Sequence, residues 1–163
     1  MASNPNWPRW ILVSAAKYCK AVATALPLKI HIEGIDMRDA DLMQQDRAEF
    51  RVNGPWARER SKNLYELQVG INILLTFTMT GNKNMLDPDR WAGAFQSALG
   101  ELIEVYRYGN GPEDDQTLLG CLVPRSNKGD SVKVWHFGQI GRTEEIRQIA
   151  VDAMFYMDLL VEA

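Results

Sequence analysis

Catalysis and metal binding require particular side chains at particular spacings, and few residues of this chain meet that requirement. The histidines are His31 and His136. A general acid–base or metal role asks for a companion His, Cys or Asp at ligand spacing, and neither histidine has one. His31 falls on the polar side of an alternating segment. His136 lies in Val134-Trp135-His136-Phe137-Gly138, which reads as a strand running into a turn. Each is expected to be structural or solvent-facing. The cysteines, Cys19 and Cys121, are far apart and read as buried free thiols. Two acidic clusters, Asp36/Asp39/Asp41 and Glu113/Asp114/Asp115, lack the alternating ligands of a calcium loop and read as solvated loops. Gly109-Asn110-Gly111-Pro112 is followed by acids rather than by the Lys-Ser/Thr pair of a phosphate loop. Ser14 and Ser97 sit in helical segments without a nucleophile elbow. No catalytic residue, metal ligand or cofactor site is assigned, and the chain is expected not to be an enzyme.

One segment points to binding. Between Asn53 and Asn63 the chain reads Asn-Gly-Pro-Trp-Ala-Arg-Glu-Arg-Ser-Lys-Asn, a loop by its Gly54-Pro55 pair. It carries Trp56, Arg58, Arg60 and Lys62, with Tyr65 just beyond. Trp and Arg dominate binding hot spots, and an exposed tryptophan is costly unless something covers it. Trp56, Arg58, Arg60, Lys62 and Tyr65 are therefore the candidate subunit interface, on an arm that protrudes near residues 53–63.

The elements around that arm follow from periodicity. Ile11, Leu12, Ala15, Cys19, Val22, Ala23 and Leu26 recur at helical spacing, which predicts a helix from about Trp10 to Ala25, ended by Pro27. Leu28 to Glu33 reads as a short strand, with Ile30 and Ile32 on one face and His31 on the other. Ala48, Phe50 and Val52 alternate with charged residues in a second strand. The strongest signal runs from Tyr65 to Met79, where every odd position is apolar and most even positions are polar. Fully extended, it would span roughly 50 Å, several times the usual strand. Asp87 and Pro88 open a second helix expected to reach Tyr106. Strands are predicted at Leu118–Val123, Ser131–Phe137 and, after Gly138–Glu145, at about Ile149–Val161. Loops are expected at residues 34–45, 81–86, 109–116 and 124–130. The predicted fold is one α+β domain over residues 1–163: a mainly antiparallel sheet with long strands and two helices packed on one face.

Composition narrows the class further. The 163 residues are 46% hydrophobic and 24% charged, enough for a core and too apolar for disorder. Net charge is −3, which gives no bulk attraction for nucleic acid, so no sequence-specific nucleic-acid binding is expected. No signal peptide and no apolar run long enough for a bilayer is visible, so no membrane partner is expected either.

The helix at Trp10–Ala25, the long strand at Tyr65–Met79, the helix at Asp87–Tyr106 and the strand at Ile149–Val161 come in an order that resembles the tail terminator and related neck proteins of tailed bacteriophages. The resemblance is one of architecture over most of the chain, and no individual residue role is carried over from it. It implies a virion structural protein, assembled in the host cytoplasm and located in the tail or neck. Its partners would be other copies of itself in a ring, usually a hexamer, together with the tail tube protein and a neck or head-completion protein. The residues agree on one point: so long a strand has more edge than a domain of this size readily covers, and a neighbouring copy could cover it. The alternatives are another tail or neck subunit, such as a tail tube or baseplate component, and a helix-grip domain binding a small molecule in a pocket behind the long strand.

Overall fold

The computed structural model describes residues 6–26, 28–33, 36, 46–78, 87–107, 117–125, 132–140 and 146–160. The expected loops at 81–86 and 109–116, Pro27, Asp39, Asp41 and the Glu113–Asp115 cluster lie outside these residues. Among the described residues are two helices and seven strands: α1 (Trp7–Thr24), β1 (Lys29–Ile32), β2 (Arg47–Ser61), β3 (Leu64–Thr78), α2 (Asp87–Leu99), β4 (Ile103–Arg107), β5 (Thr117–Pro124), β6 (Val132–Ile140) and β7 (Ile146–Leu160). The fold is α+β.

The sheet is mixed. β1 lies parallel to β2, and every other pairing is antiparallel. The order is β1-β2-β3-β7-β5-β4, with β6 also paired to β7. β7 therefore serves two partners on its far side: β6 along Ile146–Ala153, and the end of β5 at Phe155–Tyr156. From there β5 leaves the plane and β4 follows it. The Tyr106 N–H of β4 reaches the Ser14 hydroxyl of α1 at 3.1 Å. The sheet thus curls so that both ends approach α1. Strand lengths differ: β2, β3 and β7 have 15 residues each, β1 only four.

The period-two face of β3 is the core. Leu67, Val69, Ile71, Ile73, Leu75 and Phe77 are all buried. In register beside them stand Phe50 on β2 and Ile149, Val151 and Phe155 on β7. Ile11, Ala15 and Cys19 of α1 and Ala92, Phe95 and Leu99 of α2 complete the same cluster. The interior behind β3 is thus filled by side chains, where a helix-grip domain would keep a pocket. Truncating a fully buried phenylalanine such as Phe155 to alanine would cost about 3–5 kcal/mol.

Helix α1 starts three residues earlier than the apolar stripe suggests, because Pro8 is tolerated in a first turn whose N–H groups have no partners. Trp10 is buried, edge-on to Trp7 with ring centroids 5.5 Å apart. Helix α2 stops at Leu99, short of the expected Tyr106. Gly100 follows in a turn, its N–H bonded to the Ser97 carbonyl, and the period then changes. Ile103 and Val105 are buried while Leu102 is exposed, so β4 is a strand. The apolar residues at 99, 102, 103 and 106 also fit helical spacing, which hid it.

Two further expectations are corrected. Residues 53–61 are not a loop but the second half of β2. Gly138–Ile140 belong to β6, and β7 begins at Ile146. His31, placed on the polar face of its strand, is buried, which leaves the structural of its two expected roles. The length argument also changes. β3 is paired on one edge by β2 and along its whole length on the other by β7, so it offers no edge to a neighbour.

Candidate functional site

The proposed interface residues gather at the far end of a three-stranded ribbon formed by β2, β3 and β7. A bulge shapes it. Asn53 pairs with Gly70 and Trp56 with Gln68, so Gly54 and Pro55 together oppose Val69 alone. Gly54 takes φ +94°, a conformation that an L side chain rarely adopts. The extra residue reverses the phase of the strand. Before it, odd residues (Glu49, Arg51, Asn53) share the face of Asn72 and Leu74. After it, even residues (Trp56, Arg58, Arg60) take that face. Without the bulge, Asn53 and Trp56 would point to opposite sides.

Both described helices pack with the core on one face of the sheet, so Trp56, Arg58 and Arg60 stand on the opposite face, which carries no described helix (the helix-free face). Trp56 is 53% exposed, the arginines are exposed, and Lys62 lies in the Lys62–Asn63 turn. Asn63 has φ 67°, a left-handed conformation that asparagine tolerates. Arg60 pairs with Glu66 at 2.6 Å, and Arg58 stands opposite Glu66 in register. With the arginine half exposed and the glutamate partly covered, the pair contributes about 1 kcal/mol or less; its effect is to soften the positive charge of the cluster. Tyr65 does not join these residues. It pairs with Glu59 on the opposite face and packs half-buried against the core.

Strand edges matter as much as side chains. β1 pairs with β2 only from Arg47 to Phe50, and beyond it no described strand takes the outer edge of β2 through Ser61. A second open edge belongs to β6, which among the described strands pairs only with β7. Trp135 (51% exposed) and Phe137 (56% exposed) lie on it. The sequence signal for this second edge was present but unread. Val132 and Val134 supply an inward face, so Trp135 and Phe137, at odd positions after them, had to point elsewhere.

The remaining chemistry-bearing residues have local duties. Asp36 accepts the Ile32 N–H at 2.8 Å and closes a turn. Asp46 accepts the N–H and hydroxyl of Thr78 and ties β2 to the end of β3. Ser14 accepts from Tyr106. His136 Nδ1 lies 3.7 Å from Asp89, whose carboxylate also receives Arg147 at 2.9 Å. Cys19 is buried in the core, and burial pushes its thiol up to about 12. Cys121 is half-buried and free. Among the described residues no three His, Cys, Asp or Glu converge as metal ligands, and no helix is long and apolar enough to cross a membrane.

Comparison with known proteins adds no family: no protein-family model matches the chain, and no curated protein matches its sequence.

Proposed function

We propose that this chain is a self-assembling structural subunit of a tailed-phage particle, of the tail-terminator type, which closes into a ring by joining strand edges. The supporting observation is a pair of strand edges that no described strand covers. β2 from Gly54 to Ser61 and β6 from Val132 to Ile140 are of similar length and lie on opposite sides of the sheet. Three reversals separate them, β2 to β3 to β7 to β6, so β6 runs antiparallel to β2. A neighbour added head to tail, with the helix-free face kept on the same side, therefore presents its β2 antiparallel to β6. That is the more stable pairing.

The two edges are staggered. The open part of β2 stands opposite residues 64–70 of β3, whereas β6 lies level with residues 71–78. Joining them displaces each copy by about seven residues, roughly 25 Å, along the strand direction. A constant stagger of this kind tilts the strands, as barrel closure requires. Repeated head-to-tail contacts leave no unpaired edge only if the rotation closes; otherwise they make fibres. In this reading Trp56 and its arginines flank the joint, the ring ends tube growth, and its other face meets the neck. A hexamer in the tail or neck, touching the tail tube protein and a head-completion protein, is the expected assembly. A tail tube or baseplate subunit would use the same edges.

The test is hydrogen exchange combined with sedimentation, on the purified chain alone and with tail tubes. Rings should form in at least one condition, and amides 54–61 and 132–140 should gain protection together. A strictly monomeric protein with no affinity for tubes, or rings in which those amides exchange as in the monomer, would defeat the proposal.

A further inference from the structure

The helix-free face also carries a groove of about 420 Å³ that edge pairing does not explain. Trp56 on β2 and Trp135 on β6 both line it, each about half exposed. Its floor includes Gly70. Nothing in the backbone demands glycine there: the residue lies within β3, and a Cβ would meet the Asn53 Cβ at 3.5 Å, an ordinary contact. A central strand favours β-branched or aromatic residues, so the missing side chain serves the groove rather than the fold.

The polar lining is held in place. Asn53 Nδ2 donates to Asn72 Oδ1 at 2.9 Å across β2 and β3. This fixes both amides and leaves the Asn53 side-chain oxygen and the Asn72 side-chain NH2 with capacity for a ligand. The Trp135 indole and Lys133, which stands beside Asp152 in register, both favour the charged form of the Asp152 carboxylate. Arg125 lies over the Tyr156 ring, 4.3 Å from its centroid. Asp152 resides in the groove, and burial pushes its carboxyl above the usual range.

A ligand for this surface needs a flat C–H face to lie on an indole and hydroxyls to meet fixed amides and a carboxylate. It needs no strong charge. A nucleic-acid strand also stacks on aromatic rings but requires a positive track for its phosphates. Here the lining sets Lys133 and Arg125 against Asp152, with Lys133 beside Asp152 in register and Arg125 stacked on Tyr156, which is two cations and a carboxylate rather than a continuous basic track. We infer that the groove between Trp56 and Trp135 binds a neutral saccharide, a hexopyranose unit or short oligosaccharide stacked on indole and held by Asn53, Asn72 and Asp152. The groove shares Trp56 and β6 with the proposed joint, but its ligand is inferred from the lining and not from assembly.

The test is calorimetric and tryptophan-fluorescence titration of the full chain with maltotriose, cellotriose and tri-N-acetylchitotriose, followed by a wider glycan array. At least one saccharide should bind saturably. Gly70→Val, which fills the floor, and Trp135→Ala, on an edge strand, should each weaken it by about tenfold, the loss of one good contact. Circular dichroism should be unchanged. The oligomeric state, followed in the same samples, separates this result from the fate of the ring. The inference is overturned if no glycan binds, if binding survives both substitutions, or if oligo(dT) occupies the groove with strong salt dependence.

Discussion

Gly54 and Gly93 should respond to the same substitution with opposite signs. Gly54 holds the bulge at φ +94°, where a left-handed backbone costs an L-residue about 1–2 kcal/mol. A Cβ there would stand 2.9 Å from the Gln68 carbonyl oxygen and 3.0 Å from both the Trp56 nitrogen and its ring. Two of those contacts are backbone, so the strands must shift, at roughly 1–2 kcal/mol more by comparison with overpacked sites. Gly54→Ala should therefore destabilise by about 3 kcal/mol, or ~6–12 °C in melting temperature for a domain of this size. Gly93 sits on the exposed side of α2 with nothing within 4 Å of its would-be Cβ. Gly93→Ala should stabilise by about 0.5–1 kcal/mol through helix propensity alone. Urea unfolding followed by far-ultraviolet circular dichroism measures both. Equal effects, or a Gly54→Ala variant as stable as the parent, would refute the account of the bulge and with it the assignment of Trp56 to the helix-free face.

The thiols should differ in reactivity. Iodoacetamide at mildly alkaline pH should label Cys121 in the native protein, and Cys19 only after unfolding, because burial holds Cys19 as the neutral thiol. Peptide mapping by mass spectrometry distinguishes them. Asp152 should give a pH signature. Its carboxyl is raised in the folded state by desolvation, against the opposing pull of Trp135 and Lys133. The stability it contributes is thus fully present below the unfolded carboxylate range and is lost as pH rises through the folded value. Asp152→Asn should melt higher than the parent at neutral pH, and the gap should close in acid; a gap that widened in acid would contradict the burial argument.

Much of the architecture was legible because two faces are written plainly. The alternation from Tyr65 to Met79 marks a strand buried on one side, and Phe50, Val151 and Phe155 continue that face on its neighbours. The α1 stripe marks the helix that covers it. Residues 53–61 were not legible as a strand, because the bulge reverses the phase at Gly54-Pro55, and a Gly-Pro pair in a polar stretch is also the signature of a turn. β4 was hidden because positions 99, 102, 103 and 106 satisfy a helical period, while the strand period rests on Ile103 and Val105 alone. The interface candidates were legible as residue types, Trp56 and its arginines; their common face, and the exclusion of Tyr65 from it, were not.

Taken alone, the order of side chains determined which residues enter the core, since burial follows apolar character at the local period. It also left the chain without any recognisable catalytic motif. Pairing lay beyond it. That β3 is central, that β7 divides its far edge between β6 and β5, and that no described strand covers the outer edges of β2 and β6 were decided by tertiary structure. Hydrogen bonds between strands use backbone groups that every residue carries alike, so the sequence writes the faces of a sheet far more clearly than its neighbours.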